Sequence, residues 1–188
     1  MIFGLKKLFG ITFGLVGLGL VLTPLAEAQQ ANQNQSQVRR QAEDFKSWRV
    51  VCDDRDRDGK VHRSCFMQQV VILSSTKKPV FEVAIDPPVG GKASRAAVIA
   101  PLGTKLADGV LANISGVDPF KLGFRHCDRN GCWAIFDVNQ NLLAALKAGN
   151  QIEFTMLDAT SGKPFKFDIS LSGFSAAYQR LQEVQPKS

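Results

Sequence analysis

Histidine is scarce in this 188-residue chain, and the two that occur, His62 and His126, both lie beside turn signals. Cysteine and serine nucleophiles usually depend on a histidine base that a third group orients. The sequence also lacks a G-x-S-x-G elbow, and Leu102-Gly103-Thr104-Lys105 lacks the glycine-rich approach of a phosphate-binding loop. We therefore expect no catalytic residues, no cofactor and no enzymatic activity.

A hydrophobic run long enough to cross a bilayer is also missing. The apolar stretch from Leu8 to Leu22 falls short of the ~20 residues that a spanning helix needs. Lys6-Lys7 precedes it, and the small-x-small triplet Ala26-Glu27-Ala28 follows it. This order is typical of a cleavable secretory signal. We therefore predict a signal peptide over residues 1–28 and a mature protein that is periplasmic, secreted or on the outer surface. No cysteine lies near the predicted cleavage point to carry a lipid anchor.

Apolar residues are rare again from residue 29 to residue 44, where glutamine and asparagine are common. Such a segment cannot bury enough apolar surface to offset the entropy lost on ordering, and we predict a disordered polar leader over residues 29–44. The domain should then occupy residues 45–184, followed by a short tail over residues 185–188. That length suits one domain with a core of its own.

The four cysteines, Cys52, Cys65, Cys127 and Cys132, all follow the predicted cleavage point. An even number of cysteines outside the cytoplasm usually forms disulfides. Among the possible pairings we favour Cys52–Cys65 and Cys127–Cys132, because each pair encloses a short polar loop. One alternative is a zinc site, although the short paired spacings of zinc knuckles are missing. The other is a redox centre at Cys127 and Cys132, which lacks the Cys-x-x-Cys spacing.

Period-two alternation of apolar and polar residues dominates the chain from residue 45 onward, with frequent turn signals. This pattern predicts about nine short antiparallel strands in a sandwich or a barrel. Two segments have helical spacing instead. Leucines recur over residues 141–148 before Gly149, and apolar residues follow an i, i+3, i+4, i+7 pattern from Phe174 to Leu181. We therefore expect an all-β domain with a short internal helix and a C-terminal helix.

The segment between Cys52 and Cys65 is rich in both acidic and basic residues. Its D-x-D-x-D-G spacing matches the first half of a calcium loop, but Cys65 stands where the bidentate glutamate should be. We interpret the segment as a solvated hairpin tip that turns at Asp58-Gly59 and neutralises its own charge. Its basic residues form a candidate interaction loop: Arg55, Arg57, Lys60 and Arg63.

The segment from Cys127 to Cys132 contains Asn130-Gly131, which alone would indicate a two-residue type I′ turn. That turn would place Cys127 opposite Ala134. A disulfide between the two cysteines instead requires them to face each other. We favour the second register, with the four intervening residues as the loop and Gly131 in the left-handed conformation.

The formal net charge of +6 is a mild basic excess. It favours peripheral contact with anionic lipid head groups or polysaccharide, and Arg39-Arg40 of the predicted leader is a further candidate contact. We expect no nucleic acid partner.

Five short motifs occur in a defined order along almost all of the predicted mature chain. They are Trp48-Arg49-Val50-Val51-Cys52, Cys65-Phe66-Met67-Gln68, Pro101-Leu102-Gly103, Cys127 to Cys132, and Ser170-Leu171-Ser172-Gly173-Phe174. In this order they resemble the invasion-associated locus B family of alphaproteobacterial envelope proteins, roughly over residues 45–181. The resemblance implies an immunoglobulin-like β-sandwich, periplasmic or surface-exposed, without known enzymatic activity or catalytic residues. The family's founding association is with the invasion of host erythrocytes.

Three hypotheses about function follow. The first is a non-catalytic cell-envelope interaction protein of this family that binds an envelope or host-surface component. The second is a periplasmic thiol or redox-active protein that uses Cys127 and Cys132. The third is a virulence factor that acts directly on host cells.

Overall fold

The computed structural model describes residues 38–185, which form two antiparallel β-sheets and two α-helices. The all-β architecture, the short internal helix and the C-terminal helix are therefore confirmed. The predicted signal peptide, residues 29–37 of the predicted leader and the last three residues lie outside the described part of the chain.

The large sheet has seven strands in the order β1-β2-β3-β4-β5-β9-β8, and the small sheet has four in the order β11-β10-β6-β7. The strand bounds are β1 Val38–Phe45, β2 Trp48–Arg57, β3 Lys60–Leu73, β4 Lys78–Ile85, β5 Ser94–Ala100, β6 Val110–Ile114, β7 Val117–Leu122, β8 Phe124–Asp128, β9 Gly131–Val138, β10 Gln151–Leu157 and β11 Pro164–Ser170.

The core lies between the two sheets and follows directly from the alternation in the sequence. On β4, for example, Phe81, Val83 and Ile85 are buried while the residues between them are partly exposed. The Phe81 ring stacks on Phe167 of the small sheet with 4.6 Å between ring centroids, and it also lies 5.4 Å from Phe154. Apolar side chains on one face of each sheet thus hold the sandwich together.

Both helices begin where the sequence provides a suitable residue. The internal helix α1, Gln140–Ala148, starts after Asn139, whose side-chain oxygen accepts a hydrogen bond from the Leu142 amide at 2.9 Å. The C-terminal helix α2, Phe174–Glu183, follows Gly173, which has a φ of +88°. A Cβ atom at Gly173 would collide with the Phe45 carbonyl oxygen. Glycine therefore allows the start of α2 to lie against the end of β1.

The predicted leader is wrong over its last part, because residues 38–44 belong to β1. This strand buries little apolar surface, but it pairs with β2 along its whole length, from Val38 opposite Arg55 to Phe45 opposite Trp48. Main-chain hydrogen bonds to β2 therefore order a segment whose composition alone indicates disorder. The ordered domain begins by Val38 rather than at residue 45.

Candidate functional site

The long hairpin of β2 and β3 turns at Asp58-Gly59, as predicted. Both turn residues have positive φ, +54° and +71°, and Arg57 pairs with Lys60 directly beside them. These features define a two-residue type I′ turn. Cys52 lies opposite Cys65 further along the hairpin, and the two form the predicted disulfide.

Strand alternation separates the charges of this hairpin onto two faces. Cys52 and Cys65 point into the core, so the paired residues Asp54 and Arg63 share that inner side. Side chains of the intervening residues point to the outer side, away from the small sheet. Between the disulfide and the turn, the outer side carries four cations, one from β1 and three from the hairpin, which we call the basic face: Arg40, Arg55, Arg57 and Lys60. Arg49 lies on the same side on the other side of the disulfide, where Asp44 binds it.

Asp53 is the carboxylate that the cross-strand pairing places within the basic face, and it is largely enclosed. The residue is 4% exposed, and Arg40 donates two hydrogen bonds to its carboxylate oxygens, at 2.7 and 2.8 Å. These hydrogen bonds are the main reason why the pKa of Asp53 is lowered from its ordinary value of 3.8. Arg55 lies 3.8 Å away. The negative charge on this face is therefore shielded from solvent by cations.

Arg57 and Lys60 remain free at the end of the basic face. Neither forms an ion pair with any residue between Val38 and Gln185. Both are exposed, as are Arg40 and Arg55. The face therefore presents more positive charge to solvent than the composition of the hairpin suggests.

Arg63, the fourth residue of the predicted interaction loop, lies on the opposite face. Its guanidinium donates to both carboxylate oxygens of Asp54, at 2.7 and 2.8 Å. These bonds lower the pKa of Asp54. The prediction that the tip neutralises its own charge is therefore wrong for the outer face. Positive and negative residues are similar in number along the hairpin, but the outer face carries more cations than carboxylates. The alternation of aspartate and arginine over Asp54-Arg55-Asp56-Arg57 could have indicated this separation, because successive residues of a strand face opposite sides.

The aspartates that suggested half of a calcium loop lie in extended strands or at the turn. Successive side chains of β2 point to opposite faces, and Asp53 and Asp54 are each bound by an arginine. A calcium loop instead curls its carboxylates around one point. Within residues 38–185, no three histidine, cysteine, aspartate or glutamate side chains form a potential metal-binding group.

The second hairpin, β8 to β9, carries the other predicted disulfide. Cys127 lies opposite Cys132 and is bonded to it, so the favoured register is confirmed. The four-residue loop is wrong, because Asp128 pairs with Gly131 and leaves a two-residue turn. The Asp128 carboxylate accepts a hydrogen bond from the Asn130 amide at 2.8 Å, which closes this turn.

Gly131 has the positive φ that we expected, +146°. A Cβ atom there would collide with the Ala100 carbonyl oxygen and lie 2.9 Å from a methyl carbon of Ile99. The close packing of β9 against β5 therefore requires glycine at this position.

Cys127 is exposed and Cys132 is buried, and their bond joins two strands at the edge of the large sheet. Thiols with a lowered pKa are typically at the start of a helix or beside a cation. The nearby His126 stacks on Trp133, with 5.8 Å between ring centroids. This contact gives His126 a packing role, and the redox alternative stays a prediction.

No helix in residues 38–185 is both long enough and apolar enough to cross a membrane.

Comparisons with known proteins agree with the order of motifs along the chain. The family model for the invasion associated locus B (IalB) protein matches residues 48–182. Invasion protein B homologues from two strains of Brucella abortus, 2308 and 9-941, are each 31% identical over 142 residues, covering 76% of this chain and 79% of the homologue. The crystal structure of invasion associated protein b from Bartonella henselae superposes with a TM-score of 0.67 at 24% identity, covering 77% of this chain and 97% of that chain. The fold is therefore shared with that protein, and the chain belongs to the invasion associated locus B family.

Proposed function

We propose that this protein is an exported, non-catalytic binding protein of the cell envelope. Its basic face would contact phosphate or carboxylate groups on an envelope or host-surface component. The observation that carries the proposal is the separation of charge on the β2–β3 hairpin. Four exposed cations share one side, and the carboxylate among them is enclosed by arginine.

The hairpin also suits surface contact by its position. β4 pairs with β3 only from Met67 onward, so the first part of β3 and the turn extend beyond β4, and β1 accompanies β2 only as far as Arg55. Cations on a projecting element meet an anionic surface before the remainder of the domain does. They can also attract it over roughly 10 Å at moderate ionic strength.

Export is supported by two independent features. The order of charge, apolar stretch and small residues over residues 1–28 is that of a secretory signal. The two disulfides are of the kind that forms and persists in an oxidising compartment such as the periplasm or the cell exterior.

The proposal can be tested by binding of the mature chain to vesicles. Vesicles of neutral phospholipid, vesicles that also contain an anionic phospholipid, and an immobilised anionic polysaccharide distinguish the possible sources of negative charge. We expect binding to the anionic probes that weakens as salt is raised. The triple substitution Arg55→Glu, Arg57→Glu and Lys60→Glu should weaken it by about a hundredfold or more, since each cation near an anionic surface contributes about 1 kcal/mol.

A matched control carries the same change in net charge elsewhere: Lys78→Glu, Lys121→Glu and Lys163→Glu, all at exposed positions. This control should bind within a few-fold of the unaltered chain. Equal loss in both triple variants would show that net charge alone governs binding. It would reject the basic face as the contact site, as would failure of the unaltered chain to bind any anionic probe.

The names of the Brucella and Bartonella proteins support a further part of the proposal, that this contact contributes to host-cell association. A strain that lacks the protein should associate less with host cells. The unaltered chain and the control triple variant should restore association, and the basic-face triple variant should not. Normal association by the deletion strain would refute a role in invasion.

A further inference from the structure

The first part of β3 has an open edge. β2 covers one side of this strand from Lys60 onward, but pairing with β4 begins only at Met67, opposite Ile85. β4 ends there because Pro87 follows, and proline has no amide hydrogen to continue the ladder. Residues 60–66 therefore have no strand beside them on the β4 side within the described chain.

The main-chain groups of three residues point toward this open edge. Cys52 and Cys65 are 4.1 Å apart between Cα atoms, the short spacing of a non-hydrogen-bonded pair. The tight turn leads independently to the same assignment. Arg57 and Lys60 beside it form a hydrogen-bonded pair, and hydrogen-bonded and non-hydrogen-bonded pairs alternate from there to Cys52 and Cys65. Val61, Arg63 and Cys65 therefore direct their N–H and C=O groups away from β2.

A groove of about 690 Å³ runs beside this edge. Its nearer wall is formed by Arg63 and Cys65, and its farther wall by the loop after β4 and the start of β5. The farther wall includes Val89, which is 67% exposed, and Lys92, which forms no ion pair with any residue between Val38 and Gln185.

The groove already accepts one hydrogen-bonding group. The Gln185 side chain donates to the Cys65 carbonyl oxygen at 3.4 Å. A polar group at the end of the described chain thus occupies the position that an added strand would use at Cys65. Val61 and Arg63 are exposed residues.

We propose that the groove binds an extended acidic peptide segment of a partner protein as an additional strand beside β3. Main-chain hydrogen bonds to Val61 and Arg63 would provide the affinity, as in other cases of strand addition, and at Cys65 the peptide would take the place of the Gln185 side chain. The preference for acidic residues follows from two lysines beside this edge that form no ion pair within residues 38–185, Lys60 on β3 and Lys92 on the farther wall. Arg63 and Arg95 are already paired with Asp54 and Asp86. This proposal does not depend on contact between the basic face and an anionic surface.

A second copy of this chain is a poor occupant of the same edge. Antiparallel pairing of two β3 strands would place Arg63 opposite Arg63 if it were centred on that residue, and would bring the two Lys60 side chains near each other if it were centred on Val61. Like charges directly opposite on paired strands are destabilising. An acidic strand instead places carboxylates against these cations.

The test uses the mature chain and a labelled peptide of about eight residues that alternates glutamate and valine, a length typical of one strand. Control peptides replace glutamate with lysine, or carry a central proline. We expect the acidic peptide to bind at least tenfold more tightly than either control, as judged by fluorescence anisotropy. Amide hydrogen exchange at Val61, Arg63 and Cys65 should slow when this peptide is bound, because these N–H groups become hydrogen-bonded.

Two variants of Val61 isolate the main-chain contact. Val61→Pro removes one N–H group that faces the open edge of β3 and leaves the hydrogen bonds between β2 and β3 intact, whereas Val61→Thr retains the N–H group. We expect Val61→Pro to weaken binding about tenfold, the effect of losing one well-formed hydrogen bond. Val61→Thr should bind as the unaltered chain does. Two-dimensional NMR spectra verify that each variant is folded.

The result that overturns the proposal is binding without slowed exchange at these three amides, or equal binding by the acidic and basic peptides. Absence of binding by the acidic peptide overturns it as well. The variant Arg55→Glu with Arg57→Glu separates the two proposals. It should lose contact with anionic vesicles but keep peptide binding, because its substitutions lie on the other strand of the hairpin.

Discussion

Asp53 lies within the basic face, yet its carboxylate stabilises the domain and does not repel an anionic partner. Its carboxylate is 6% exposed, and Arg40 holds it through two short hydrogen bonds. The pair links β1 to β2, which helps to explain why a strand of such polar composition is ordered.

The same pair should make stability depend on pH in acid. Because the pKa of Asp53 is lowered in the folded protein, its stabilising effect is complete above the ordinary value of 3.8 and disappears as pH falls through the folded value. Asp53→Asn should therefore flatten the acid limb of a plot of unfolding free energy against pH. We expect a loss of about 1 kcal/mol at neutral pH, a reduced figure because Arg40 is 64% exposed.

Urea unfolding at a series of pH values measures this effect. Asp118→Asn, at an exposed position of β7, is the control and should leave the profile unchanged. An acid limb that is as steep in Asp53→Asn as in the unaltered chain would contradict the prediction.

At the scale of elements, the two disulfides each join the strands of one hairpin, but they are expected to differ in effect. The first closes a separation of 13 residues and the second a separation of 5. In the chain-entropy treatment the first contributes about 3 kcal/mol and the second about 2 kcal/mol.

The redox alternative can be tested on the second disulfide, Cys127–Cys132. If both disulfides are structural, protein isolated without reductant should contain both of them intact. Treatment with mild reductant should then leave binding to anionic vesicles unaffected. Replacing Cys127 and Cys132 with serine should then lower the unfolding free energy by about 2 kcal/mol without altering vesicle binding. Mass spectrometry of alkylated protein gives the readout. Rapid, selective reduction of Cys127–Cys132 would favour the thiol function instead.

Much of the element pattern could be predicted because local residues determine it. The alternation on β4, the turn at Asp58-Gly59 and the leucine spacing of α1 all depend on short-range rules. β1 could not be predicted in this way, since its order depends on hydrogen bonds to β2 rather than on apolar residues of its own. The position of Arg63 was missed for a related reason, because its face depends on the hairpin register.

At the scale of the whole molecule, one side chain helps to bind the two sheets to each other. Gln69 on β3 donates to the Ser170 carbonyl oxygen at 2.8 Å and accepts from the Ser170 amide at 3.0 Å. The Trp48 indole donates to the same carbonyl at 2.8 Å. These bonds satisfy the polar main chain at the end of β11, where it faces the large sheet.

Gln69→Leu should therefore be costly although it adds apolar surface. It leaves the Ser170 amide without its partner, and we expect the unfolding free energy to fall by about 1–3 kcal/mol. Gln68→Leu is the matched control, since the adjacent side chain points to the outer face and away from the small sheet. Equal effects of the two substitutions in urea unfolding would refute the bridging role of Gln69.

The disulfide between Cys52 and Cys65 has a consequence for the electrical character of the protein surface. Acidic and basic residues alternate from Asp54 to Arg57, so a slip of one position against β3 would turn Asp54 and Asp56 outward and Arg55 and Arg57 inward. The covalent bond excludes that slip by fixing which residues lie opposite each other. An oxidation event thus helps, together with the turn and the buried apolar residues, to hold the sign of the hairpin's outer surface.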